Sequence, residues 1–509
     1  MRRLLLLAVA ALLAGRAEAQ TATVTSPAPD HVALTVYRAP YGRGAMTLRY
    51  LGGFAMVTET RRVRLPRGPA VVRFEGVAEG IVPVSAIVDG LPGGTIEKNR
   101  DARLLSPRSL VDGTLGREVT LTRTNKTTGL KVSEPATIIA GPTPGIILRT
   151  SAGIEALRCS GLAEQLGFAG VPKGLSAKPV LSVTTTSRTA RTVTVRLSYL
   201  ASGFDWRASY VATLAADGRS VDLFAWLTLA TGNPEAFVDA EVKAVAGRLN
   251  RVAVPAIPAA AGALRLVCYP LGTTTSDLEE TRFEAAADIV VTGSRMMAFA
   301  PPPPPAPMAP PPPEDLGDLK LYRVPAPTTV ASRGQKQVAL LARRGVAVER
   351  RYRRAVSPGQ SLDGAPTMIM LVLKNDTLGG LGVPLPAGGT ALYTERAGER
   401  RLLGLGAITD RTIGETVRLA AGVSSQVTLS QTIAAVRAVT AAAPKAAGSR
   451  EVVLTATNAN PFAVALDIPI GMAAQAIDAE GEDIGRTDGV LTWSPHLSAG
   501  GRAELHYRY

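Results

Sequence analysis

Thiols, imidazoles and aromatic rings are all scarce. The 509-residue chain has two cysteines, three histidines and 5% aromatic residues. So few thiols exclude a disulfide-stapled scaffold, and a chain of this length can bury packed cores without staples or metal. Cys159 and Cys268 stand outside any Cys-x-x-Cys pair, which argues against redox or zinc chemistry. In an oxidising compartment they are either bridged to one another or buried separately as thiols. His31, His496 and His506 lack the close spacing of imidazole metal sites. The sequence contains no Gly-x-Ser-x-Gly nucleophile elbow, no phosphate-cradling Gly-x-x-x-x-Gly-Lys-Ser/Thr loop and no Gly-x-Gly-x-x-Gly fingerprint. It therefore carries no catalytic motif and implies no cofactor. Long apolar runs are missing too. After the first 20 residues the longest compact run is Met368–Leu373, far short of the ~18 residues of a membrane-spanning helix.

The chain begins with a distinctive leader. Arg2 and Arg3 precede the apolar stretch Leu4–Leu13, and Ala17-Glu18-Ala19 fits a small-x-small cleavage rule. Residues 1–19 read as a signal peptide cut before Gln20, and the expected location is the periplasm or the exterior of a Gram-negative cell. Cleavage removes Arg2, Arg3, Arg16 and Glu18 from a chain whose formal net charge is +14. In that compartment a basic protein meets anionic lipid, lipopolysaccharide and cell wall rather than nucleic acid. The densest basic stretch holds Arg343, Arg344, Arg350, Arg351, Arg353 and Arg354, opposed within the stretch by Glu349 alone. It is either the solvated face of a strand and its turn or a contact for an anionic surface.

Strand patterning dominates. In Ala190–Leu200, Val193, Val195, Leu197 and Tyr199 alternate with Thr194, Arg196 and Ser198, the period of two of a half-buried strand. His31–Arg38, Phe54–Leu65, Asp205–Ala215, Ser220–Ala230 and Ala236–Gly247 follow the same style, and Asp217-Gly218 signals a hairpin. Helical character is confined to Ile154–Leu166 and Gln431–Ala443. Trp206 and Trp226 lie in well-patterned strands and are read as packing residues. Ten prolines crowd Pro301–Pro313; a segment without amide donors cannot join a sheet and favours extended polyproline II. Residues 273–317 are thus expected to form an exposed, disordered, Pro-rich insertion, after which strand signals resume at Leu319. The expected fold is mainly β: antiparallel β-sandwich domains, one over 20–185 and one over 186–509 interrupted by the insertion. Strands on either side of that insertion should pair.

Several segments carry a resemblance. Phe204-Asp205-Trp206-Arg207-Ala208-Ser209-Tyr210, Val238-Asp239-Ala240 leading to Val245-Ala246-Gly247, and Leu319-Lys320-Leu321-Tyr322 followed by Lys336-Gln337-Val338-Ala339-Leu340-Leu341 come first. Leu385-Pro386-Ala387-Gly388 with Leu392-Tyr393, Gly414-Glu415-Thr416-Val417, and Thr457-Asn458-Ala459-Asn460 follow in order. Together they resemble the domain of unknown function 4139 family, which includes the mucoidy inhibitor A proteins. The resemblance implies a β-rich exported protein and transfers no catalytic residues. A second, shorter likeness concerns Asp288, Ile289, Val290, Val291, Thr292, Gly293, Ser294 and Arg295. This string resembles the energy-coupling segment of TonB-dependent receptors. It would act as a partner-docking strand for a TonB-like periplasmic β-domain.

The leading expectation is a non-enzymatic exported protein that mediates interactions in the cell envelope, with an envelope protein or polymer as partner. Two alternatives come from other classes. The alternation of Leu505, Tyr507 and Tyr509 at the C-terminus would also suit an outer-membrane β-barrel. Paired carboxylates in one cleft would suit a hydrolase of a cell-wall or surface glycan.

Overall fold

A computed structural model describes residues 21–40, 46–101, 105–125, 127–141, 145–157, 164–172, 175–247, 249, 312–433, 450–473, 475–479, 481 and 483–509. Cys159, Cys268, the segment Asp288–Arg295 and most of the expected insertion lie outside the described residues. The protein is mainly β. In chain order the principal elements are β1 (Ala22–Ser26), β2 (His31–Tyr37), β3 (Gly53–Leu65), β4 (Gly68–Glu75) and β5 (Glu97–Asp101). After a short helix come β6 (Val180–Ser187), β7 (Arg191–Leu214), β8 (Ser220–Thr231) and β9 (Phe237–Ala246). Beyond the Pro-rich stretch follow β10 (Glu314–Leu316), β11 (Leu319–Arg323), β12 (Thr328–Val330) and β13 (Gln335–Ala347). The C-terminal part holds β14 (Glu349–Arg353), β15 (Leu362–Lys374), β16 (Gly388–Arg396), β17 (Glu399–Ile408), β18 (Thr416–Ile433), β19 (Glu451–Asn458), β20 (Val464–Ile470) and β21 (Arg502–Arg508).

The largest sheet runs β10-β11-β9-β2-β3-β7-β8-β13, with β16 joined to β7 and β17 to β16. β12 pairs with β9 and lies against β8 and β13, which nearly closes the sheet into a barrel. β7 is the shared spine. Its first half pairs with β3 and its second with β8 and β16, and the register shifts between Ser202 and Phe204. Gly203 makes that bend with φ +78°, a conformation that disfavours any side chain. A four-stranded sheet, β1-β4-β6-β5, covers the first half of the spine, and both sheets contribute to one core. Trp206 is fully buried in that core, and its indole N–H donates to Val245 O at 3.1 Å, so the ring adds apolar contact without stranding a donor. A second core, under the sheet β21-β19-β18-β15-β14-β20, collects Leu429, Leu454, Leu466, Trp493 and Tyr507. Residues 118–167 contain a small antiparallel sheet with a core of its own.

Four features differ in detail from the sequence reading. Ile154–Ala156 and Gln165–Gly167 are strands, and Gln431–Ile433 ends β18, so the described parts of both helical candidates are extended. The helix that does form is Pro107–Gly113, started by Pro107 and a reciprocal Ser106/Ser109 capping box. The boundary expected at 185/186 does not separate sheets: β2 pairs with β9, and β3 pairs with β7. The expected insertion ends earlier than 317, because Glu314–Leu316 already pairs with β11. Antiparallel pairing prevails, but β1–β4, β2–β9, β7–β16 and β14–β20 are parallel. Strands before Thr273 do pair with strands after Leu319, at β8–β13, β9–β11 and β7–β16.

Candidate functional site

Where β7 bends, three turns meet. β8 ends at Thr231, and the turn Gly232-Asn233-Pro234 brings the buried Asn233 side chain under the bend. Asn233 Oδ1 accepts from Gly80 N at 2.8 Å, and Nδ2 donates to Ser202 O at 3.1 Å and to Thr231 Oγ1 at 3.2 Å. Its carbonyl accepts from Arg333 N at 2.9 Å. The side-chain amide thus ties its own turn to the stretches of Gly80 and Ser202, with its donors and acceptor used, and the backbone carbonyl adds the stretch of Arg333. Gly80 is required here for space: a Cβ on it would lie 2.4 Å from Ser202 O.

Above these turns opens a cleft of about 800 Å³, walled by Leu48–Leu51, Glu79, Gly80, Ser202, Gly203, Gly232, Asn233 and Arg333. Tyr50 is 79% exposed on its wall. Arg49 and Arg333 are exposed as well, and among the described residues neither guanidinium has a carboxylate partner. Arg333 holds an uncommon φ of +44°, fixed by its backbone bond to Asn233. The lining therefore combines two arginines and a tyrosine with Glu79, two leucines and the small residues of the turns.

Glu235 sits behind the wall. Its Oε2 accepts from Glu79 N at 3.1 Å, which holds the Glu79-Gly80 turn in place. Burial pushes this carboxyl up to about 7; the Glu79 charge adds to the rise, while the bound backbone N–H groups and Arg100 oppose it. Arg100 in turn donates to the carbonyls of Glu79 and Ile81. Glu235 is thus a bracing residue for the cleft and is engaged away from its opening.

A second polar constellation lies inside the core and has no opening. Arg61 and Glu59 are both buried on the inward face of β3, with Arg61 Nε 2.7 Å from Glu59 Oε2. Arg61 also donates to Ser26 O and Glu75 O at 2.9 Å each, and Tyr199 O–H donates to Glu59 Oε1 at 2.7 Å. Ala78 N completes the set by donating to the Tyr199 oxygen at 3.0 Å. Burial raises the Glu59 carboxyl and drives the Tyr199 phenol well above its ordinary value. This network joins β1, β3, β4 and β7 and is structural.

The six arginines singled out in the sequence do not form one uniform free patch. Arg344 and Arg350 are exposed. Arg351 pairs with Glu349 at 2.9 Å and with Asp467 at 3.1 Å, a carboxylate supplied by β20 that the linear stretch does not contain. Arg353 is half-buried beside Arg418, and burial together with that neighbouring charge lowers its pKa. Arg354 donates to Pro366 O at 2.7 Å, and Arg343 to Ala342 O at 3.1 Å. His31 lies 3.3 Å from Glu241, while His496 and His506 are exposed. Among the described residues no group of His, Cys, Asp or Glu side chains is arranged to hold a metal ion. Trp493 is buried like Trp206; Trp226 is partly exposed, with its ring edge-on to Phe224 at 4.7 Å. The cleft escaped the sequence reading because its walls are turns far apart in the chain; the one local signal was the Gly-Asn-Pro turn after β8. Compared with known proteins, the chain matches no family model and no curated sequence.

Proposed function

We propose that this is a non-enzymatic exported β-protein that mediates interactions in the bacterial cell envelope, and that the cleft at the bend of β7 is where it engages its partner. The observation that carries this reading is the combination of a wide opening, an exposed tyrosine and two exposed arginines without carboxylate partners among the described residues, on a frame braced by Asn233 and Glu235. A braced site meets its ligand with little ordering cost. The apolar leader, the basic net charge and the resemblance to the domain of unknown function 4139 family support an envelope setting for a partner, protein or polymer. The glycan-hydrolase alternative is disfavoured because Glu235, the carboxyl raised towards neutrality, is bonded to the Glu79 backbone and lies behind the wall. The test is crosslinking and capture from an envelope fraction with the natural protein and with Tyr50→Ala and Arg333→Gln. Capture that weakens in both variants is expected. Capture unchanged by both would end the assignment to the cleft.

A further inference from the structure

We infer that the ligand of this cleft is an acidic oligosaccharide segment; the inference rests on reading the cleft as the binding site. Three observations select that chemistry. The volume of about 800 Å³ falls in the range of sites that enclose small molecules or short polymer segments. A protein partner would need a broad contact of about 800 Å² on each side, whereas this site is a concave cleft in which Gly80, Ser202, Gly203, Gly232 and Asn233 bring backbone and short polar groups to the lining beside Leu48 and Leu51. Such walls suit hydroxyl-rich ligands, which trade hydrogen bonds with backbone and short side chains.

The second observation is Tyr50. A tyrosine left 79% exposed at a cleft wall offers an apolar ring face with a polar tip, the combination that packs against the C–H face of a sugar while its hydroxyl stays hydrated. The third is charge. Arg49 and Arg333 face the site without carboxylate partners among the described residues, against Glu79 as the acidic group of the lining. Guanidinium groups pair with carboxylates or phosphates through two parallel hydrogen bonds, and a ligand supplying those acids would satisfy both arginines. Glu79 remains available to accept from sugar hydroxyls. An uncharged glycan would leave both arginines unanswered.

The test is direct titration of the full chain, followed calorimetrically, with three probes of equal length: a galacturonic acid oligomer, a phosphorylated mannose oligomer and an uncharged galactose oligomer. One or both acidic probes should bind, which identifies the acid as carboxylate or phosphate, and the uncharged probe should not. Arg333→Gln and Arg49→Gln should each weaken binding by about tenfold or more, the loss expected for one charge-assisted pair. Arg333→Lys should recover part of the loss, and Tyr50→Ala should weaken the acidic probe by about threefold to tenfold. The three residues changed, Arg49, Tyr50 and Arg333, are all exposed, so the four variants should keep the melting temperature, which is recorded for each. Equal binding of charged and uncharged probes, no binding of any probe, or acidic binding indifferent to both arginines would overturn the inference. Should the envelope capture still depend on Tyr50 and Arg333 under those outcomes, the cleft stands as the binding site and only its ligand class falls.

Discussion

Replacing Glu235 with Gln should stabilise the protein above neutrality and do much less at pH 5. The natural carboxyl has its pKa raised from 4.5 to about 7, chiefly by burial. Below 4.5 it is protonated in both the folded and unfolded chain, so it adds no pH dependence. Between 4.5 and about 7 the folded protein retains a proton that the unfolded chain has released. Stability therefore falls as pH rises through that window, and the full penalty is present above it. At ~1.4 kcal/mol per pH unit the interval corresponds to ~3 kcal/mol. The group is partly open to solvent, and screening reduces the figure to on the order of 1–2 kcal/mol. Gln keeps an acceptor oxygen for Glu79 N, so the Glu79-Gly80 turn retains its brace. Melting temperatures of both proteins at pH 5, 6, 7 and 8 give the measurement. A gain of on the order of a few degrees at pH 8 that shrinks to about a quarter of that at pH 5 is expected. A variant that melts lower at pH 8, or whose offset is the same at every pH, would refute the reasoning.

Within the core, Arg61→Met strands the Glu59 carboxylate and should cost about 3–5 kcal/mol in denaturant unfolding. The double variant Glu59→Leu/Arg61→Met should recover most of that loss, because both charges leave together. Gly80→Ala places a methyl carbon against Ser202 O and should cost about 1–3 kcal/mol while weakening ligand binding at the cleft. Deleting 276–311 keeps β10 on β11, and circular dichroism and melting temperature should stay close to those of the full chain, since loop-closure free energy changes only logarithmically with length.

Local pattern was legible and long-range pairing was not. The alternation around Val193–Tyr199 and the Asp217-Gly218 hairpin, where Gly218 adopts φ +71°, specify β7 and β8 because side-chain period and turn chemistry act over a few residues. Nothing in His31–Tyr37 announces that its parallel neighbour is Phe237–Ala246, since register across such a separation is set by core packing. Ile154–Leu166 misleads through its Leu, Ala and Glu content; at Gly153, φ +122°, the chain turns instead into a strand pair with Ile147–Thr150. The cleft follows the same rule. Asn233, Gly80 and Arg333 acquire a shared role only once the sheet has brought their turns together.

The order of strands in the large sheet bears on how the protein reaches its native state. Chains are made from the N-terminus at roughly 5–20 residues per second, and β2 and β3 emerge long before β7 and β9, the strands that flank them. During that interval the β2–β3 hairpin presents two unpaired edges and an apolar face. β13, the partner of β8, arrives later still, beyond the whole Pro-rich stretch. A topology so dependent on distant partners folds slowly and is exposed to edge-to-edge association while it waits. The yield of this protein should therefore respond to holding chaperones more strongly than its final stability does.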